Sequence, residues 1–203
     1  WEDYDASLLS EGGGIFPRSA KSVPISAQVR RVLDLPDDIT QLTPQELMRA
    51  IVRAPVDLFW NGGIGNYVKA ATEDNGSVGD KANDSIRING ADLRVRVVGE
   101  GGNLGFTQLG RIEASRAGVL INTDAIDNSA GVDTSDHEVN IKILLGLAVA
   151  DGEMTDKQRN ALLPQMTDDV ARQVLRDNYF QTQVLSVTRA LGVAQLDRQA
   201  RFM

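Results

Sequence analysis

Apolar positions along the chain fall into three kinds of run: helical spacing, alternation, and short continuous blocks. Leu47, Met48, Ile51 and Val52 mark one helical face. The helix is opened by Thr43-Pro-Gln-Glu46, with a Thr cap, Pro at the first helical position and Glu three after the cap, and Pro55 stops it. Ser26 to Leu33 suits a short helix and Thr107 to Ala117 another. Val56 to Trp60 reads as a short buried strand, closed by Asn61-Gly-Gly-Ile-Gly65. Leu93 to Val98 alternates and then turns apolar, which predicts a strand with one partly exposed end, closed by Gly99-Glu-Gly-Gly-Asn103. Val119 to Ile121 is a third short strand. Ser10 to Val23, with Gly12, Gly13, Gly14 and Pro17, reads as a loop, as do Glu73 to Gly79 and Asp124 to Asp133.

The C-terminal third is helical in pattern. One helix is expected from about Ser135 through Ala150, and the capping box Thr155-Asp-Lys-Gln158 opens a second that ends near Pro164. Thr167 is expected to cap a long final helix with Val170, Val174, Phe180, Val184, Val187 and Leu191 on its apolar side. Its spacing is interrupted at Asp177, where a kink is expected. Trp1 to Asp5 and Arg201 to Met203 are helix-compatible. A start at Trp1 and an end at Met203, both abrupt, read as a piece of a longer polypeptide; a truncated small protein is the alternative.

Strands that alternate with helices predict an α/β fold with a parallel sheet under helical cover. Ligands of open parallel sheets bind at the carboxyl ends of the strands. Asn61–Gly65, Gly99–Gly105 and Asn122–Asp133 are therefore expected side by side on one edge.

Composition narrows the function classes. The chain has 203 residues, no cysteine and a formal net charge of −7. It is long enough to hold a core without staples. Without cysteine there is no disulfide framework, thiolate metal site or cysteine nucleophile, which fits a reducing compartment. The acidic balance argues against a nucleic-acid or anionic-membrane surface, since both want positive charge. No run approaches the roughly 18 apolar residues of a membrane span.

The glycine-rich loops Asn61–Gly65 and Gly99–Gly105 bare their backbone to a ligand. Neither is a G-x-G-x-x-G fingerprint opening a helix, and there is no phosphate-binding G-x-x-x-x-G-K-[ST]; ordinary turns after strands are the alternative for either loop alone. Asp133, Asp136, His137 and Glu138 resemble a metal set, but the His-Glu pair fails H-E-x-x-H because position 141 is Ile141. Asp133 and Ser135 instead suit a helix cap and first turn, so no metal site is assigned. His137 is the only histidine, and no G-x-S-x-G elbow supplies a serine to pair with it, which disfavours a hydrolase. Lys69 and Lys81 carry no signal, Lys142 reads as a surface residue, and Asp80-Lys81 and Asp84 with Arg87 read as solvated pairs of little consequence.

Longer segments carry a resemblance. Val97-Val-Gly-Glu-Gly-Gly-Asn103, followed by Ile121-Asn-Thr-Asp-Ala-Ile-Asp-Asn-Ser-Ala-Gly-Val-Asp-Thr-Ser-Asp-His-Glu138, resembles the large NAD-specific glutamate dehydrogenases of bacteria. Gly12-Gly-Gly-Ile-Phe-Pro-Arg18, Leu58 to Lys69, Val78 to Asn83 and Leu196 to Met203 extend the resemblance over essentially the whole chain. It implies a partial doubly wound, Rossmann-like parallel sheet with a helical C-terminal segment. Residues 1–134 would be the second half of a dinucleotide-binding domain and 135–203 a helical segment packing on it. It implies oxidative deamination of L-glutamate to 2-oxoglutarate and ammonia with NAD, in a cytoplasmic, homo-oligomeric enzyme. The family's roles place cofactor contacts on Asn61, Gly62, Gly63, Gly101, Gly102, Asn103 and Asn128, and the glutamate side-chain pocket on Val132 and Ser135. The family's pyrophosphate turn, substrate lysines and catalytic aspartate have no counterpart in these residues. No catalytic residue is therefore assigned, and the isolated chain is expected to be inactive without the remainder of the polypeptide. A non-catalytic nucleotide- or small-molecule-binding module is the alternative reading.

Overall fold

Side-chain caps set most helix starts. In the computed structural model, described over residues 4–202, the chain divides into two compact units, Trp1–Asp124 and Ala125–Met203. In the first, β1 (Val23–Pro24) pairs antiparallel with β2 (Gln41–Leu42) around α1 (Ala27–Leu33). The Ser26 hydroxyl accepts from Val29 N–H to start α1, and Asp34, in the left-handed region, closes it. The predicted capping box forms at α2 (Pro44–Val52), where Thr43 and Glu46 satisfy each other's backbone N–H groups.

Parallel pairing follows. β3 (Leu58–Asn61) pairs with β6 (Val97–Glu100), Leu58 opposite Val97 and Asn61 opposite Glu100. A single parallel bridge from Val97 to Leu120 adds a third element on the far side of β6. β4 (Val68–Lys69) pairs with β5 (Ile88–Asn89), and Val68 also bridges Phe106. Between β4 and β5 lies a four-residue turn of helix, α3 (Asn75–Val78), capped by Asp74. After β6 comes α4 (Gln108–Arg116), capped by Thr107. Val68, Ile88, Leu93, Val95, Val98, Phe106 and Ala114 form the core of this unit.

The second unit is helical. α5 (Asp124–Asp127) starts at the last residue of the first unit and leads into α6 (Ser129–Ala150). α7 (Asp156–Gln165), α8 (Thr167–Leu191) and α9 (Leu196–Phe202) follow. The Thr155–Gln158 capping box starts α7 as predicted. α6 and α8 pack together, with Ser129 Oγ 2.5 Å from Asn178 Oδ1 and 2.7 Å from Gln181 Oε1. No helix among the described residues is long and apolar enough to cross a membrane.

The α/β class and the parallel pairing agree with the sequence, and several boundaries do not. The second predicted strand begins at Val97 rather than Leu93, and Gly99 and Glu100 belong to it. Leu93 and Val95 alternate because they are buried, yet among the described residues 93–95 lie in no strand, and pairing begins at Arg96, whose N–H donates to the Asp57 carbonyl and whose carbonyl accepts from Leu120 N–H. Val56 to Trp60 is not a buried strand: Leu58 and Trp60 are 55% and 60% exposed, while Asn61 turns inward. Val119 to Ile121 contributes one bridge only. Asp124 to Asp133 is helical rather than irregular, so α6 begins six residues before the expected Ser135. α8 passes Asp177 without a break, and Thr167 is its first residue rather than its cap. Arg87 is not solvated: it is buried, donating to Asp84 Oδ1 at 2.5 Å and to the Asn66 and Asp80 carbonyls. Ala6–Leu8 forms a single 3-10 turn, and the expectation for Trp1 to Asp3 lies outside the described residues, as does that for Met203.

Candidate functional site

Parallel pairing of β3 with β6 brings the loops that follow them together. The carbonyl of Asn61 accepts from both Gly101 N–H (2.9 Å) and Gly102 N–H (3.0 Å). Gly102 lies so close to Gly63 that a Cβ on it would overlap the Gly63 carbonyl. Asn61, Gly62, Gly63, Gly101, Gly102 and Asn103 thus share one edge of the first unit, at the carboxyl ends of two parallel strands. Gly63 has no atom within 4 Å of where its Cβ would be, so that side of it is open. Asn103 is exposed.

Trp60 explains two of the glycines. It stands opposite Gly99 in the register, and a Cβ on Gly99 would come within 2.7 Å of its ring. The indole also lies across Gly101. The ring covers the glycine backbone on one face and remains exposed on the other, a cross-strand aromatic–glycine pair.

A charged network holds the loop from beneath. Glu100, the last residue of β6, is fully buried. The Arg111 guanidinium on α4 grips it at two points, Nε to Oε1 at 2.7 Å and Nη2 to Oε2 at 3.1 Å. The same Nη2 lies 3.1 Å from Asp124 Oδ1, and Asp124 Oδ2 accepts from Leu104 N–H at 2.8 Å. Leu104 has φ +58°, a left-handed conformation rare for a residue with a branched side chain. The Glu100–Arg111–Asp124 chain therefore fixes the strained turn that closes Gly101–Gly105. Beside it, Asn61 Nδ2 is buried with no hydrogen-bond partner, packed where only a glycine at 105 leaves room.

In the second unit, Asn128 is half-buried at the N-cap position of α6, and Val132 and Ser135 are exposed on its first two turns. Ser135 lies inside the helix, so its expected position among the free N–H groups of a helix start is corrected. An apolar cavity of about 600 Å³ between Gly14–Arg18 and the α2 residues Leu47, Met48 and Ile51 is lined by none of the predicted site residues.

The arrangement offers close backbone approach and an unsatisfied amide, with its charges committed to one another. Such an edge can hold a polar, sugar- or phosphate-bearing ligand. Sequence reasoning missed Trp60, Arg111 and Asp124. Only Trp60 left a signal, as an aromatic residue directly before a glycine-rich loop.

A sequence profile of the bacterial NAD-glutamate dehydrogenase catalytic domain matches residues 1–188. The chain is 56% identical over 203 residues to an NAD-specific glutamate dehydrogenase of Halomonas elongata and 55% identical over 203 residues to one of Pseudomonas aeruginosa. It is 53% identical over 200 residues to one of Mycobacterium tuberculosis. These alignments cover 97–100% of this chain and 12% of each relative, so the chain spans about one-eighth of the length of the curated proteins it matches.

Proposed function

The chain belongs to the bacterial NAD-glutamate dehydrogenase catalytic-domain family, and we propose that it forms part of a polypeptide that oxidatively deaminates L-glutamate to 2-oxoglutarate and ammonia with NAD. Its first unit is read as the second half of a Rossmann-like dinucleotide-binding domain. The observation that carries this reading is the pair of glycine loops joined through the Asn61 carbonyl at the carboxyl ends of parallel β3 and β6.

The residues present suit the cofactor. The open side of Gly63 and the unpartnered Asn61 Nδ2 favour a polar, sugar-bearing ligand that approaches the main chain. NAD supplies hydride acceptance when bound. Asn61, Gly62 and Gly63 present backbone to its ribose, and Gly101, Gly102 and Asn103 border its nicotinamide end. The Glu100–Arg111–Asp124 network keeps this edge rigid, the preorganisation that positioning demands. On α6, Asn128 contacts cofactor and substrate, Val132 gives an apolar wall to the glutamate side chain, and Ser135 donates to its γ-carboxylate. The acid–base groups come from the remainder of the polypeptide, and the assembly is read as a cytoplasmic homo-oligomer.

Ser135→Ala in the full-length enzyme tests the substrate role. Its kcat/KM for glutamate is expected to fall by about 1.5–3 kcal/mol, the scale of a hydrogen bond to a charged group. Because Ser135 sits inside α6 and caps nothing, melting temperature and NAD affinity are expected to stay at wild-type values. Unchanged glutamate kinetics would overturn the assignment.

A further inference from the structure

Residues from two helices of the second unit converge on a feature that the nucleotide edge does not use. Asp133 and His137, one turn apart on α6, face Asp177 on α8. Among the described residues these form the only group of three His, Asp or Glu side chains whose ligand atoms all lie within 4.8 Å of one another. His137 Nε2 is 3.4 Å from Asp133 Oδ1. Two ligands on a tetrahedral ion with bonds of about 2.1 Å stand roughly 3.4 Å apart, so this edge already has coordination spacing. Asp177 is 45% exposed and, among the described residues, is otherwise paired with its neighbour Arg176, at 3.3 Å. Such a surface pair holds a side chain weakly, which leaves the Asp177 carboxylate free to turn towards the other two.

A second observation is independent of the spacing. Asp133 Oδ2 is shielded from solvent and accepts no hydrogen bond. That oxygen has no hydrogen-bond partner although Oδ1 of the same carboxylate, on a side chain 28% exposed, meets His137, and a bound cation would supply the missing contact. Two carboxylates balance a divalent charge, and one imidazole beside them selects a borderline metal over the all-oxygen ions calcium and magnesium.

We propose that Asp133, His137 and Asp177 bind a divalent transition-metal ion of the zinc class, with water completing the coordination, and that the ion ties α6 to α8. Ser129 holds the same two helices one turn earlier through Asn178 and Gln181. The ion is a clamp and takes no part in the hydride chemistry. Neither Val132 nor Ser135 is one of these three groups, so the site stands whether or not they bind glutamate.

The test uses the intact polypeptide that carries these residues, stripped with EDTA and re-equilibrated with Zn²⁺ against a competing chelator. Elemental mass spectrometry is expected to find one more zinc per wild-type polypeptide than per His137→Gln or Asp177→Asn polypeptide. Co²⁺ loading is expected to give visible d–d absorption in the wild type that His137→Gln lacks. In EDTA all three should share one melting temperature, and added Zn²⁺ should raise that of the wild type alone. Asp177→Asn alters a half-exposed side chain, so it reports on the metal even if His137→Gln disturbs packing. Equal zinc in all three proteins, or a wild-type melting temperature indifferent to zinc, overturns the proposal. Loss of glutamate turnover in Ser135→Ala, with zinc content unchanged, bears only on the substrate reading.

Discussion

Replacing Arg111 with methionine removes the guanidinium from a carboxylate with no access to water. Glu100 is fully buried, the Arg111 side chain is 8% exposed and Asp124 is 16% exposed. Removing one partner of a buried pair leaves the other charge in a low dielectric, at a cost of about 3–5 kcal/mol. Arg111 also supports Asp124, which holds the left-handed Leu104 through its N–H. The damage should therefore centre on residues 97–111 rather than spread evenly. Hydrogen exchange on peptides from the intact polypeptide measures this directly. At tenfold per about 1.4 kcal/mol, amides of β6 and the following loop should exchange roughly a hundred- to several-thousand-fold faster in Arg111→Met, if they exchange through local opening. The double variant Glu100→Leu with Arg111→Met removes both charges. Apolar replacement of a buried pair is often neutral, while Asp124 loses its guanidinium in the single and the double variant alike, so exchange should return part of the way to wild type. Single-variant exchange within about fivefold of wild type, or a double variant worse than the single, would refute the network as the element that fixes the loop.

Gly102→Ala places a methyl group against the Gly63 carbonyl and is expected to destabilise the edge by about 1–3 kcal/mol, whereas Gly63→Ala meets no atom within 4 Å and should stay within about 0.5 kcal/mol; opening free energies of peptides covering 58–66 and 97–106 separate the two. Acid should loosen the segment around Asp80. Hydrogen bonds from the Asn83 side chain and Asn66 N–H, aided by Arg87, hold its carboxyl below the ordinary 3.8; the folded state then binds fewer protons than the unfolded one, so this contribution is complete above pH 3.8 and is lost as pH falls through the lowered value. Protection of peptides spanning 64–84, with the intrinsic pH dependence of amide exchange divided out, should fall below pH 3.8 in the wild type, and an Asp80→Asn profile with the same acid step would show that another group is responsible.

What could be read from the sequence divides by the range of the interaction. The starts of α1, α2, α4 and α7 were readable because each cap is a contact between residues three apart, complete within the local sequence. Strand limits were not, because an apolar run reports burial and a ladder needs a partner. Leu93 and Val95 are buried like strand residues and, among the described residues, join no strand ladder, while Gly99 and Glu100 resemble a turn and pair with Trp60 and Asn61. The start of α6 was hidden by Asn128 and Gly131, residues that locally favour turns. Packing of Ser129 against Asn178 and Gln181, some fifty residues on, accompanies the helix there.

The same division runs through the candidate site. Its glycines were readable because close backbone approach excludes a side chain, and the sequence displays that exclusion as composition. Its charges were not. Arg87 reads as a surface residue and is buried, and Glu100 and Arg111 stand eleven positions apart with no periodic relation. A buried guanidinium is tolerated only where the fold brings acceptors to it, so its role becomes visible once β6 and α4 are placed side by side. The loop's shape therefore depends on residues that an inspection of glycine motifs passes over. Substitutions that spare every glycine but disturb Arg111 should damage the glycine-loop edge as surely as substitutions within it.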